Sequence, residues 1–318
     1  MPEKLDKKCP RVFFGGGFSM SVKQLFVGAA VVAMATFSSA VANAADVAPP
    51  EALSHFSGQI DASLGYWFMD GEKDNTDPDE TSAWTFGADG KFRIDLFDGV
   101  AAQADFSFEE TDANEGDDYY QGSLLAGGHL SWSNPDSGLL GIFAATGSGE
   151  SDEVDSDFWL LGGEGQLYLD NITLYVQAGY FDAEEHDPEF EEDDDAFQNA
   201  WFGRIVGRYF FSPETRLQGE FSYANGEQDD DNQDMDVYSW GARFDQQIVE
   251  HLAIFAAYNG GYFDNGSGND TGSYYDHVIR GGISITLGRS DLISTDRTGP
   301  NLDMPWAGHW AASGNIVD

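Results

Sequence analysis

The segment that decides the fold is Trp84 to Phe108, WTFGADGKFRIDLFDGVAAQADFSF. Trp84, Phe86, Ala88, Phe92, Ile94 and Leu96 alternate with Thr85, Asp89, Lys91, Arg93 and Asp95. After the tight Phe97-Asp98-Gly99 turn, Val100, Ala102, Ala104, Phe106 and Phe108 alternate with Gln103, Asp105 and Ser107. A period of two with one apolar and one charged face is the signature of a β-hairpin, here with a turn of Asp and Gly.

The same pattern recurs along the chain. Phe56 to Phe68 precedes this hairpin. Tyr120 to Trp132, Leu139 to Gly147, Phe158 to Leu169, Ile172 to Phe181, Phe197 to Phe211, Arg216 to Tyr223, Val237 to Gln246, Leu252 to Phe263 and Tyr274 to Leu287 follow it. The connections alternate between short turns, such as Asp170-Asn171 and Ser212-Pro213-Glu214-Thr215, and long acidic ones. The long ones are 69–82, 109–118, 148–157, 182–196, 224–236 and 264–273. They gather most of the chain's acids and one base, Lys73. Long loops at one end and tight turns at the other predict an all-β, antiparallel up-and-down transmembrane β-barrel of about twelve strands, both ends of the barrel lying on the short-turn side. A soluble β-sandwich is the competing arrangement, and it needs a second sheet to cover every apolar face.

The 318 residues carry 15 Lys+Arg against 56 Asp+Glu, a net charge of −41, which excludes nucleic acid as a partner. Lys23, the apolar run Leu25 to Phe37 and the small-residue site Ala42-Asn43-Ala44 read as a secretory signal starting at Met20, with cleavage after Ala44. The expected organisation is therefore a signal peptide over 1–44, a periplasmic linker over 45–53, the barrel over 54–288 and a C-terminal tail over 289–318. The only cysteine, Cys9, falls in the removed portion. The tail contains Pro300, Pro305, Trp306 and Trp310 but no strand alternation, and reads as either a periplasmic extension or a plug inserted in the barrel.

Seven bases lie inside strands on the polar face: Lys91, Arg93, Arg204, Arg208, Arg216, Arg243 and Arg280. On a lipid-facing surface each would cost about 2–4 kcal/mol near the midplane, so they must face the lumen. There they can pair with Asp89, Asp95, Asp105, Glu164, Glu220, Asp245 and Asp276. In an open pore such an array sets ion selectivity; in a narrow barrel it is a salt-bridged filling. Aromatics cluster where strands meet the long loops, among them Tyr66, Trp67, Trp84, Phe158, Trp159, Phe197, Trp201 and Tyr275, and predict an interfacial girdle.

Catalytic and metal-binding signals are weak. His129 and Ser131 share one strand face, an i, i+2 arrangement similar to that of the outer-membrane phospholipase, but on the polar face and near the short turns. Ordinary lining residues are the expected reading, with a membrane-embedded hydrolase as a third alternative. Glu191 to Asp195 has no regular ligand spacing, and Gly266 to Asp270 matches a calcium-binding nonapeptide only as a single copy, so no metal site or cofactor is expected.

In the last segment, Arg280, Gly282, Ile285 and Leu287 form the polar-x-Gly-x-x-apolar-x-apolar pattern. With the export signal and the loop asymmetry, the chain resembles the porin-type outer-membrane β-barrel proteins of Gram-negative bacteria. That resemblance implies the outer membrane as location, the barrel-assembly machinery, lipid and lipopolysaccharide as partners, and a possible homo-oligomer. The leading expectation for function is passive diffusion of small polar solutes or ions, with cations favoured at the acidic mouth. The alternative is a closed barrel with a structural or surface-interaction role.

Overall fold

The computed structural model describes residues 55–71, 81–112, 120–151, 155–185, 196–228, 233–264 and 273–313. The expected signal segment, part of each acidic loop and the runs 191–195 and 266–270 lie outside the described residues. Twelve strands occur in the order β1 (Phe56–Gly71), β2 (Thr81–Phe97), β3 (Val100–Asp112), β4 (Tyr120–Asn134), β5 (Gly138–Ser151), β6 (Asp155–Leu169), β7 (Ile172–Glu185), β8 (Phe197–Ser212), β9 (Thr215–Gln228), β10 (Gln233–Val249), β11 (Leu252–Asp264) and β12 (Ser273–Leu287). Two short helices follow, α1 (Leu292–Thr298) and α2 (Ala307–Ser313).

Each strand pairs antiparallel with its sequence neighbours, and β1 pairs with β12 from Gly58↔Leu287 to Gly71↔Tyr274, which closes the sheet. Closure leaves no unpaired strand edge, the condition for placing a sheet in hydrocarbon. The β-sandwich alternative is thereby excluded. The tight turns use left-handed backbone where the chain must reverse in two residues, at Gly99 (φ 74°), Asp170 (φ 43°) and His251 (φ 69°).

Alternation assigns the faces. Leu64, Phe86, Ile94, Leu130, Ile142, Leu161, Val176, Ile205, Phe221, Ile254, Ile279 and Ile283 stand exposed on the outside, while Ser57, Gln59, Asp61, Arg93, Gln103, Asp105 and Asp245 are buried inside. An apolar exterior wrapped around a polar interior inverts the soluble pattern and matches a barrel whose outer solvent is lipid. Several strands run further toward the long-loop end than the hydrophobic pattern suggests, β3 to Asp112 and β7 to Glu185. Backbone ladders continue past the point where side chains stop needing an apolar environment, so residues such as Glu109 belong to the wall and not to a loop.

The aromatic girdle needs correction. On the outside, ring contacts link Tyr66 with Trp84, Trp159 with Tyr180, Tyr180 with Trp201, and Tyr223 with Tyr238, Tyr262 and Tyr275 in turn. But Trp67, Tyr120, Phe158, Phe181, Phe197, Phe263 and Tyr274 point inward and are buried. Aromatics adjacent in sequence necessarily fall on opposite faces, so a list drawn by position pooled two rings. Phe197 and Trp201 share the same parity yet diverge. A register shift between Gln198 and Trp201, with Asn199 at φ 52°, reverses the alternation between them.

Candidate functional site

The lumen is the natural candidate site, and the C-terminal segment occupies it from one end to the other. After Gly288 (φ 75°) the chain turns back beneath the short-turn end. There the Leu292 N–H donates to the Pro213 carbonyl at 3.0 Å, and Arg297 reaches the Asp170 carbonyl at 3.0 Å while its guanidinium lies 4.3 Å from the centre of the Tyr168 ring. Helix α1 begins at Asp291, whose carboxylate accepts from the Ser294 N–H while the Ser294 hydroxyl answers the Asp291 N–H. This reciprocal cap makes a seven-residue helix viable at the entrance.

From α1 the segment climbs in extended form, and the wall satisfies its backbone. Arg93 donates to the Gly299 carbonyl (3.3 Å), Gln166 to that of Asn301 (3.0 Å), Gln103 to that of Leu302 (2.9 Å) and Gln177 to that of Asp303 (2.8 Å). Leu302 is buried among Leu139, Tyr168, Tyr175 and Val206. Near the long-loop end the segment re-forms a helix, α2, packed against β4, β5, β6 and β8. Trp310 is fully buried there between Phe181 (5.7 Å between centroids, edge-on) and Phe202 (5.5 Å), with its indole N–H on the Ser239 hydroxyl at 3.0 Å. Gly149 of β5 allows this approach: a methyl group there would overlap the carbonyl of Gly308. The two readings of the tail left open by sequence are thus decided in favour of a plug.

All seven expected bases face the interior and are ion-paired. Arg93 meets Asp95 (3.0 Å), Arg204 Glu220 (2.5 Å), Arg216 Asp245 (2.9 Å), Arg243 both Asp61 (2.7 Å) and Asp245 (2.8 Å), and Arg280 Glu109 (2.8 Å). Lys91 and Arg208 differ, because their carboxylates come from the plug. Lys91 pairs with Asp303, and Arg208 with both Asp303 and Asp296 (2.9 Å). Of the remaining expected acids, Asp89 accepts from Ser107 (2.6 Å), Glu164 holds His129 and Tyr175, and Asp276 holds His309 (2.6 Å) and the Trp67 indole N–H.

Both nitrogens of His129 are taken, by Asp105 at 2.9 Å and Glu164 at 2.8 Å, so the imidazole is held as a structural bridge and has no free nitrogen to activate Ser131. Sequence reasoning missed Asp296, Asp303 and His309, which carry the plug's polar contacts. They lie in a stretch without periodicity, and because the seven inward bases were already matched by seven acids on the same face, nothing in the sequence pointed to carboxylates supplied by the tail.

His309 stands between Asp276 and Glu109 (2.9 Å), stacked on Tyr120 and Trp306. Burial opposes its charge, but the two carboxylates outweigh that and raise its pKa above the ordinary 6.5. Asp303 is held well below the usual carboxylate range: burial disfavours its charge, and Lys91, Arg208 and Arg204 more than offset this.

Two cavities lie beside the plug midway along the lumen, and α2 borders the larger of them through Ala307, Gly308 and His309. A cavity of about 200 Å³ is bordered by Asp61, Asp89, Lys91, Arg243, Arg280 and Asp303. A smaller one of about 50 Å³, bordered by Gln59, Arg208 and Arg216, shares Lys91, Arg243 and Asp303 with it. Among the described residues no group of three or more His, Cys, Asp or Glu is placed to hold a metal ion.

No family model and no curated protein matches the sequence. Among solved structures, the chain is similar to the translocator domain of the autotransporter NalP from Neisseria meningitidis (13% identity, TM-score 0.43, 81% of this chain and 96% of that one). It is also similar to an OmpT outer membrane protein of Vibrio cholerae lacking loop L8 (13%, 0.34, 73% and 98%) and to the KdgM porin (8%, 0.37, 70% and 98%). At these scores the assignment of the barrel rests on this chain's own closed strand register.

Proposed function

We propose that this protein is an outer-membrane β-barrel held shut by its own C-terminal segment, a closed barrel that presents acidic loops at the cell surface. The observation that carries this reading is the passage of residues 289–313 through the lumen, with anchors at both ends and ion pairs midway. The apolar exterior supports the membrane location, because outward Ile, Leu and Phe have no protein layer to cover them.

The diffusion channel is the second reading, and the two cavities beside the plug favour it: the wall is charged, and the plug does not fill the whole cross-section. Its selectivity would be set by the inward ladder of Lys91, Arg204, Arg243 and Arg280 against Asp61, Asp89 and Glu220. Planar-bilayer recording and liposome swelling on the full chain separate the two. The closed barrel gives no solute-sized conductance steps and no uptake of small sugars; sustained steps at low voltage refute it.

A further inference from the structure

The distribution of partners along the wall is uneven in a way that points to a ligand. Five of the seven inward bases find a carboxylate on the barrel itself, and each of those pairs is complete without the plug. Lys91 and Arg208 do not. Lys91 lies opposite Asp105 in the β2–β3 ladder, but that carboxylate is taken by His129 and by Gln103 (2.7 Å). The wall offers Arg208 only the amide oxygen of Gln218, at 3.1 Å.

The barrel itself therefore gives neither cation a direct ion pair, Asp89 acting on Lys91 only from beyond contact distance, and the two stand close enough to grip the two oxygens of one carboxylate. Asp303 is held in that way, Oδ1 by Lys91 and Oδ2 by Arg208. Around this pair stand Gln177, which donates to the Asp303 carbonyl (2.8 Å), and the Tyr175 hydroxyl, whose proton goes to Glu164 (2.6 Å) and which lies 3.2 Å from the same carbonyl, while the Tyr175 ring lies 5.4 Å from the Arg208 guanidinium. A buried Arg208 beside a partly exposed Lys91 is costly without a direct counter-ion, and an anion that bridges them relieves that cost. Both cavities border Lys91 and Asp303, so the site opens onto space in which more than the aspartate side chain can be accommodated.

We propose that Lys91 and Arg208 form a carboxylate receptor on the lumen wall, occupied in cis by Asp303, and that small carboxylate solutes are the ligands that compete with the plug for it. The inference rests on the closed-barrel reading, since the plug must be in place for Asp303 to occupy the site. Geometry favours a carboxylate over a larger oxyanion, because the two bases engage one oxygen each and Arg208 spends another nitrogen on Asp296. The plug thus blocks the site and at the same time serves as a built-in stand-in for its ligand.

Chemical rescue on the full chain tests this. Asp303→Ala removes the carboxylate and leaves a gap that formate fits. The thermal unfolding midpoint of the detergent-solubilised variant is compared in sodium formate and in sodium chloride at equal ionic strength. The expected result is a midpoint several degrees below the parent in chloride, most of it regained in formate. That recovery is lost in the Asp303→Ala, Lys91→Met double variant. A lowered midpoint with equal response to both salts overturns the receptor and leaves the closed-barrel reading standing. An unchanged midpoint in Asp303→Ala also overturns the receptor, because the two bases then need no carboxylate, while the anchors at the two ends still carry the closed-barrel reading, which the conductance measurement tests separately. If the variant fails to fold in chloride, the folded yield on refolding in each salt is read instead, with the same two outcomes.

Discussion

Trp310→Ala is the perturbation that asks most directly whether the plug is a separate, docked unit. The indole is fully buried, contacts Phe181 and Phe202, and donates to Ser239. Truncating a packed Trp to Ala costs about 3–5 kcal/mol in a core that cannot collapse around the gap. The orphaned, buried Ser239 hydroxyl adds roughly 1 kcal/mol if no water reaches it. Barrel strands above and below Trp310 are hydrogen-bonded to one another and cannot close the gap, so the loss falls on α2. At 1.4 kcal/mol per decade, a loss of about 4 kcal/mol raises the undocked fraction of α2 roughly a thousandfold. Hydrogen exchange followed by mass spectrometry reads this directly: protection of the amides of residues 307–313 falls by a similar factor, while strand amides keep theirs. The reasoning is refuted if α2 protection is unchanged, or if β5 to β8 lose protection in parallel with it, since the segment would then be part of one cooperative unit with the wall.

Gly149→Val is expected to give the same exchange signature with Trp310 intact, because its side chain collides with the Gly308 carbonyl; unaltered α2 protection contradicts the crossing described. Ile283→Lys, on the outer face, is expected to lower stability in vesicles by about 2–4 kcal/mol, measured by denaturant titration, whereas a neutral effect places that face outside lipid. Docking of α2 is expected to depend on pH through His309. Its pKa is raised on docking, so its contribution is complete below 6.5 and fades as pH climbs through the docked value. Exchange of α2 therefore quickens on alkalinisation beyond the intrinsic trend, and His309→Asn abolishes the excess; an excess that persists in the variant assigns the effect to another group.

The barrel was legible because lipid and lumen impose opposite demands on alternate residues. Each of the twelve segments, from Phe56–Phe68 to Tyr274–Leu287, overlaps a strand of the closed sheet. The inward direction of the seven bases followed from the same argument, since hydrocarbon tolerates no arginine such as Arg204 or Arg208. What alternation could not supply was the second half of the site. Asp296, Asp303, His309 and Trp310 act through a segment that is helical, extended and helical again within 25 residues, and its contacts are fixed by the wall. The inner aromatic ring was also illegible. Phe158, Phe181 and Phe202 look superfluous on a polar face until Trp310 is seen among them.

The plug is pinned low at Asp296 and high at His309, and the wall residues that receive them, Arg208 and Asp276, stand at fixed heights in a closed sheet. The stretch between those pins works as a ruler cut to the bore. Lengthening or shortening an outer loop changes nothing in that measurement. Adding or removing one residue between Asn301 and Trp306 puts it out of gauge, so that the lower clasp or the upper one can fasten, but not both.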